Sequence, residues 1–410
     1  MHAIGIDYQQ TLSVMCLREG PSATAKIRSV GDGRRSLIPN VVDRNGAWGS
    51  HVQSAGLTSK LYQKPTRETA WFSDEEATIF WRGLYTRLFK FLGRLEPISL
   101  NGYHTVVATQ AGHYTMAVEQ ITRWSKNAGF SDITVIPTTD AFLCRWLSDP
   151  IAEKSQARVV VVVLVGDISV DVRAYRVEIA DHVPYLSIRA ASPIVVLHDT
   201  GQAWWVNRLL ELIGERMHET LAQKQTSALW DAAIEFGWRI STVPSHQPVT
   251  WGGPGQAQLF TPLSLTRHEC SSWSEVSRLT TRLPAAIDEA VRAITDHDQY
   301  DTVLIGGIGA IWPFAKEAIT GLAKDVVIWQ SMTPQEDAAW GATCWPEVGK
   351  PYQNILQLHT ESDFSLPTSL DLPTHVKLLP STFQPDPYPK IQIKEVVRSL
   401  DILPPWEQSY

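Results

Sequence analysis

The segment Arg158 to Glu178, RVVVVVLVGDISVDVRAYRVE, constrains the fold more than any other. Val159 to Val165 is an unbroken apolar run rich in β-branched residues, the composition of a strand buried on both faces beneath helices. Gly166-Asp167 ends the run. Ser169, Asp171, Arg173 and Tyr175 then alternate with Ile168, Val170, Val172 and Ala174, which predicts a second strand with one wet or ligand-facing side. An ordinary core hairpin has this pattern, and so does a hairpin whose glycine turn lets backbone N–H groups approach an anion. The N-terminus repeats the device. Ala3 to Asp7 is a short strand ending in an acid, and Thr11 to Leu17 continues as its partner. Two copies about 160 residues apart predict an internally duplicated α/β fold.

The rest of the chain fits that plan. Strands are expected at 25–30, 36–42, 105–109, 133–136, 185–190, 302–305 and 326–329. Helices are expected after Ser73, at 112–128, 139–147, 203–217, 230–239, 275–295, 313–322 and 334–343. Ser73 with Glu76 reads as a capping box, Gly129 as a positive-φ helix terminator, Pro334 as a first-turn proline and Pro284 as a kink. Gly31-Asp32-Gly33 and Asn45-Gly46 are turn signals. A boundary is expected near Asp149-Pro150. It gives lobe I at 1–150, lobe II at 151–345 with an inserted subdomain at about 203–300, and a tail at 346–410, with nine of the 25 prolines between 351 and 410. In the tail only Ile391 to Leu400 is periodic, and Pro404-Pro405-Trp406 is a candidate anchor.

At 410 residues with 44% hydrophobic and 19% charged content, the chain has material for two cores. A formal charge of −7 gives no basic field for nucleic acid. No apolar run reaches membrane-spanning length, no leader pattern opens the sequence, and the four cysteines lack a CxxC pair, so a cytoplasmic location with reduced thiols is expected. The histidines show no metal-site spacing. The 16 tryptophans are many; most fill cores, and a surplus at the surface would mark a partner site. Trp204-Trp205 reads as half core and half domain contact, His198-Asp199 as loop, and Glu275, Arg278, Arg282 and Glu289 as a solvated helix face.

Gly166, Gly201 and Gly306-Gly307 each follow a strand, and Asp7 and Asp171 are acids at strand ends. Polyphosphate needs backbone donors on close-approach loops and carboxylates that hold Mg²⁺ through water. IGIDYQQTLSV resembles the first phosphate loop of the actin, sugar-kinase and heat-shock chaperone ATPase superfamily, VVVLVGDISVDVRAY its second, and VLIGGIGAIWPF its adenosine motif. The DnaK-type chaperone branch is the nearest likeness. SLIPNVVDRNGAWGS, the stretch from Thr105 to Ala141, AIEFGWRIS and PQEDAAWGATCWP resemble further parts of its nucleotide-binding domain, over about 1–346.

The resemblance implies an actin-like, duplicated ribonuclease H-like fold, two lobes around a nucleotide cleft. It implies that ATP or ADP is held by Thr11, Gly166, Ser169, Gly201, Glu235, Arg239, Gly306 and Gly307, with Asp7 and Asp171 as catalytic acids and as carriers of Mg²⁺ through water. The sequence departs from the family at several of its positions. Gln9 stands for the first-loop glycine, Leu164 for a second-loop acid, Thr138 for a glutamate, Ala310 for an adenine-stacking arginine and Trp238 for a lysine. Lys60 is the candidate for the catalytic lysine. The peptide-binding domain and its lid have no counterpart. The function implied is a chaperone-like nucleotide-binding protein with weak or lost ATP hydrolysis that assists a client or partner enzyme. The alternative is a nucleotide-independent pseudo-ATPase scaffold. A small-molecule kinase of the same superfamily fits less well, because the sugar-binding pattern is missing.

Overall fold

The computed structural model of the chain describes residues 2–20, 26–31, 36–40, 42, 47–49, 73–93, 100, 102–111, 114–149, 158–179, 186–214, 226–251, 262–296, 299–321 and 326–357. Asp32-Gly33, Asn45-Gly46, Lys60 and the expected features at 391–406 lie outside these residues.

Two mixed sheets form an α/β structure, and they share one plan. In the first, β1 (His2–Tyr8) is antiparallel to β2 (Leu12–Glu19) and parallel to β5 (Tyr103–Thr109), which is parallel to β6 (Ile133–Pro137). β3 (Lys26–Ser29) and β4 (Leu37–Pro39) add antiparallel to β2. In the second, β7 (Val159–Val165) is antiparallel to β8 (Ser169–Ile179) and parallel to β13 (Thr302–Gly306), which is parallel to β14 (Val327–Trp329). β9 (Leu186–Ala191) and β10 (Val195–His198) add antiparallel to β8. The hairpin and its parallel extension are therefore built twice, in the same order and the same directions.

The helices are α1 (Asp74–Phe91), α2 (Tyr114–Ala128), α3 (Thr138–Leu147), α4 (Gln202–Gly214) and α5 (Thr226–Thr242). After the small hairpin of β11 (Val249–Trp251) and β12 (Leu263–Leu265) come α6 (Arg267–Ser271), α7 (Ser274–Arg292), α8 (Phe314–Thr320), α9 (Asp337–Val348) and α10 (Gln353–Gln357). Ser73 and Glu76 form the expected reciprocal capping box on α1, and Gly129 ends α2 at φ +110°. α7 runs unbroken through Pro284.

Pro334 does not open a helix: its carbonyl accepts the Gly307 N–H, and α9 begins at Asp337. Pro346 sits in the last turn of α9, and the described chain continues through α10. The polar face of β8, expected to be wet or ligand-facing, is closed off from solvent. Ser169, Asp171, Arg173 and Tyr175 are all buried.

The two helices that follow the sheets cross over. α3 follows the first sheet yet packs on the second, where the Phe142 ring covers Gly306 so closely that a Cβ there would lie 2.4 Å from it. α9 follows the second sheet and packs on the first, its Ala339 carbonyl 2.0 Å from where a Gly5 Cβ would sit. The two helices also touch, since a Cβ on Gly341 would fall 1.9 Å from the Ala141 carbonyl. Small residues at both crossings set these distances. A buried polar cluster braces the same region. Arg173 donates to Asp140 Oδ1 (2.7 Å), the Ser192 carbonyl (2.8 Å) and the Leu356 carbonyl (2.6 Å), and Tyr175 Oη donates to Asp140 Oδ1 (2.7 Å). β8 thereby joins α3 and α10.

Candidate functional site: a sealed seam between two hairpin turns

The turns after β1 and β7 face each other. Gln9 N–H donates to the Leu12 carbonyl (3.2 Å), closing the first turn, and Asn40 braces it through the Gln9 carbonyl (2.5 Å) and Ser13 Oγ (2.7 Å). Gly166 N–H donates to the Ser169 carbonyl (3.0 Å), closing the second. Asp7, Thr11, Gly166, Ser169 and Asp171, nominated from sequence, are brought together here and are buried.

The turns bond directly to one another. Thr11 N–H donates to Asp167 Oδ2 (2.5 Å), and Asp167 N–H donates to Gln9 Oε1 (2.9 Å). The Gln9 amide also donates to Asp7 Oδ2 (2.8 Å), so one side chain spans both halves. Gln110, at the end of β5, donates to the Ser169 carbonyl (3.2 Å) and Oγ (3.1 Å), and Ala111 N–H donates to Asp171 Oδ2 (2.9 Å). Gly166 is needed for this contact, since a Cβ there would meet the Gln110 amide at 1.7 Å.

The neighbouring turns are used internally as well. The first N–H groups of α4, Gln202 and Ala203, donate to the Gly166 and Asp167 carbonyls (3.0 and 2.8 Å), and Gly201 packs on Asp167. Gly307 (φ +98°) donates to Pro334, and Gly309 donates to the Val165 carbonyl (2.9 Å). Trp312 is fully buried between this turn and α5, its indole pressed against Gly237. On α5, Glu235 is exposed and Arg239 half-buried. Leu164 and Ala310 are buried in the apolar core, and Thr138 is buried beside it.

Burial dominates the electrostatics. It pushes the Asp7 carboxyl from 3.8 to about 7, against the Gln9 hydrogen bond, with Asp167 raising it further. Burial likewise raises Asp167 to about 6 against its bonds from Thr11, and Asp171 to about 6 against its bonds from Ala111 and Ser169. Asp7 Oδ1, Gln10 Oε1, Gln110 Oε1 and both amide atoms of Gln202 have no hydrogen-bond partner among the described residues. No group of three or more His, Cys, Asp or Glu among those residues is placed to hold a metal ion.

As arranged, the seam does not fit polyphosphate. The N–H groups of Thr11 and Asp167 already meet side-chain oxygens, and the Asp167 carboxyl between the turns offers no donor to an anion. Sequence reading missed Asp167, Gln110 and Ala111, and took Gln9 only as a lost glycine. The one available signal was Gln9 itself: a long amide in a turn that needs donors is suited to fill the space it faces.

Elsewhere, Trp205 is fully buried and Trp204 half-buried, donating to the Ile168 carbonyl (3.2 Å). The face of α7 is not merely solvated, because Arg278 and Arg282 donate to the Asp199 and His198 carbonyls (3.4 and 3.1 Å). All four cysteines are buried free thiols. No helix among the described residues is long and apolar enough to cross a membrane. No family model matches the chain, and no curated protein matches it.

Proposed function

We propose that the chain is a nucleotide-independent pseudo-ATPase: an actin-like, DnaK-related two-lobed frame that serves as a protein-binding scaffold. The observation that carries this reading is the reciprocal pair across the seam, Thr11 N–H to Asp167 Oδ2 and Asp167 N–H to Gln9 Oε1. Backbone donors that would cradle phosphate in a working member of the superfamily are satisfied by the chain's own oxygens. The repeated sheet plan and the crossed helices support the frame. Trp312 against Gly237 supports the loss of a base site, since its ring fills the space between α5 and the glycine turn.

A second reading has one observation in its favour. The unpartnered oxygens of Asp7, Gln10 and Gln110 around the seam are the kind of groups that a Mg²⁺-nucleotide and its water would satisfy if the lobes parted. On that reading the protein is a chaperone-like ATP or ADP binder, at most a weak ATPase, that acts on a client. Thermal unfolding with Mg-ATP, Mg-ADP and inorganic pyrophosphate separates the two. The scaffold predicts no stabilisation up to millimolar ligand. A gain approaching the roughly 2.7 kcal/mol expected at a hundredfold excess over Kd would overturn it.

A further inference from the structure

Where α3 crosses α9, one arginine stands between two carboxyls. Arg145, in the last turn of α3, donates through Nη1 to Asp149, four residues on in the chain. Its Nε lies 3.6 Å from Oδ1 of Asp337, the first residue of α9, which is beyond hydrogen-bond length. The guanidinium is thus bonded to one acid and only adjacent to the other. It also stacks on the Trp340 ring, 3.8 Å from the centroid, with Trp329 of β14 at 5.8 Å. Trp340 sits one turn along α9 from Asp337. Its indole is a flat bearing on which the guanidinium can turn from one carboxyl to the other and keep its cation–π contact. The two acids differ in their surroundings: the Asp149 side chain is 29% exposed and that of Asp337 3%.

Asp337 Oδ2 accepts from Ser331 Oγ at 2.6 Å. Burial pushes its carboxyl from 3.8 to about 7, against Ser331 and Arg145, and Glu336 and Asp149 raise it further. Glu336 is itself raised by burial, against a bond from Ser36. From β2, Cys16 faces both acids of α9, and burial pushes its thiol well up. Arg18, also on β2, is taken by Glu347 at 2.7 Å and by the Thr343 carbonyl at 3.3 Å. Among the described residues, Arg145 is the cation within ion-pair distance of Asp337. We propose that Arg145 is a two-position switch at this crossing: it rests on Asp149 while Asp337 holds a proton, and turns to Asp337 when that proton leaves. The exchange replaces a pair local to the end of α3 by a tie between the two crossed helices. Asp149 stands where the chain leaves α3 for the second sheet, so the same movement unpins that connection. The folded carboxyl is raised above its unfolded value, so the stability held by protonated Asp337 is present at low pH and is lost as pH rises through about 7; the new ion pair offsets part of that loss.

Double-mutant cycles on the full chain, read by urea denaturation at about pH 5.5 and about pH 8.5, test this. The coupling between Arg145→Gln and Asp149→Asn should be about twofold in the folding equilibrium constant at the lower pH and should vanish at the higher. The coupling between Arg145→Gln and Asp337→Asn should run the other way, reaching about fivefold or more at the higher pH. In an Asp337→Asn background the Arg145–Asp149 coupling should keep its low-pH value throughout. Nuclear magnetic resonance of the unsubstituted chain supplies a second readout. The Asp337 carboxyl carbon should titrate with a midpoint near 7, and the Arg145 Nε signal should move with the same midpoint. An Arg145–Asp149 coupling equal at both pH values would overturn the proposal. So would an Arg145 signal that stays still while Asp337 titrates, or a pH response of Arg145 that survives Asp337→Asn.

Discussion

Replacing Gln9 with alanine tests how much of the fold depends on the seam. Gln9 is 2% exposed, and its carboxamide makes two bonds there, to Asp7 Oδ2 at 2.8 Å and from Asp167 N–H at 2.9 Å. Truncation leaves a buried acceptor and a buried backbone donor without partners. Each such loss costs ~1–3 kcal/mol, so the substitution should cost about 2–6 kcal/mol. Urea denaturation is the assay, with a lowered midpoint at unchanged slope as the expected result. Gln9→Glu is the sharper companion. It sets a third carboxylate against Asp7 and Asp167, so its deficit should be larger at pH 8 than at pH 5, where the cluster holds more protons. A Gln9→Ala protein within ~0.5 kcal/mol of the parent would behave like a surface substitution and would refute the bridging role.

Three other outcomes are expected. The Asp7 carboxyl is raised above its unfolded value, so the folded state holds the proton longer and stability falls as pH rises from about 4 to about 7. The displacement from 3.8 to about 7 is worth about 4 kcal/mol, and Asp7→Asn should flatten that part of the pH–stability profile while leaving the part due to Asp167 and Asp171. Gly341→Ala forces a Cβ to within 1.9 Å of the Ala141 carbonyl and should cost at least ~1–3 kcal/mol by driving α3 and α9 apart. Gly93→Ala, with φ +68° and open space, should cost only the ~1–2 kcal/mol of its backbone conformation, which thermal melts of the pair would resolve. Arg173→Met strands the buried Asp140 carboxylate and should cost ~3–5 kcal/mol in denaturant titration. Adding Asp140→Leu should recover much of that, and a double variant as weak as the single one would count against the pair.

The elements legible in sequence are those whose signals are local. Val159 to Val165 is a strand at the residues expected, because seven apolar, mostly β-branched residues bounded by Gly-Asp admit little else. The Ser73–Glu76 box and Gly129 also depend on residues within one turn. β8 shows where the rule stops. Alternation identifies the strand and predicts a wet polar side, but that side is dry because Asp140 and the Leu356 carbonyl come to Arg173 from 33 and 183 residues away. β10 is hidden in sequence because Val195–His198 is only four residues long and follows Ser192-Pro193. At the seam, the positions of Asp7, Thr11, Gly166, Ser169 and Asp171 follow from the hairpin registers. What closes the gap does not: the reach of Gln9 and Gln110 to a turn more than 50 residues away is fixed only when the two sheets meet.

The same geometry puts a number on the competition between the two functional readings. Parting the two sheets at the seam breaks the bonds from Thr11 to Asp167, Asp167 to Gln9, Gln110 to Ser169 and Ala111 to Asp171. At a net ~0.5–1.5 kcal/mol each, these four bonds alone cost roughly 2–6 kcal/mol to break. On these bonds alone the open form is one molecule in about 30 to one in about 25,000, and a ligand that binds only that form has its apparent affinity weakened by the same factor. A nucleotide with an intrinsic micromolar Kd would register between about 30 micromolar and about 25 millimolar. Such a site responds to nucleotide only if something else first pulls the halves apart. A partner that grips both halves would do this. If nucleotide affinity rose on Gln9→Gly by the factor that opening costs, the gap would be a phosphate site held shut; if it stayed flat, the frame alone is what the fold retains.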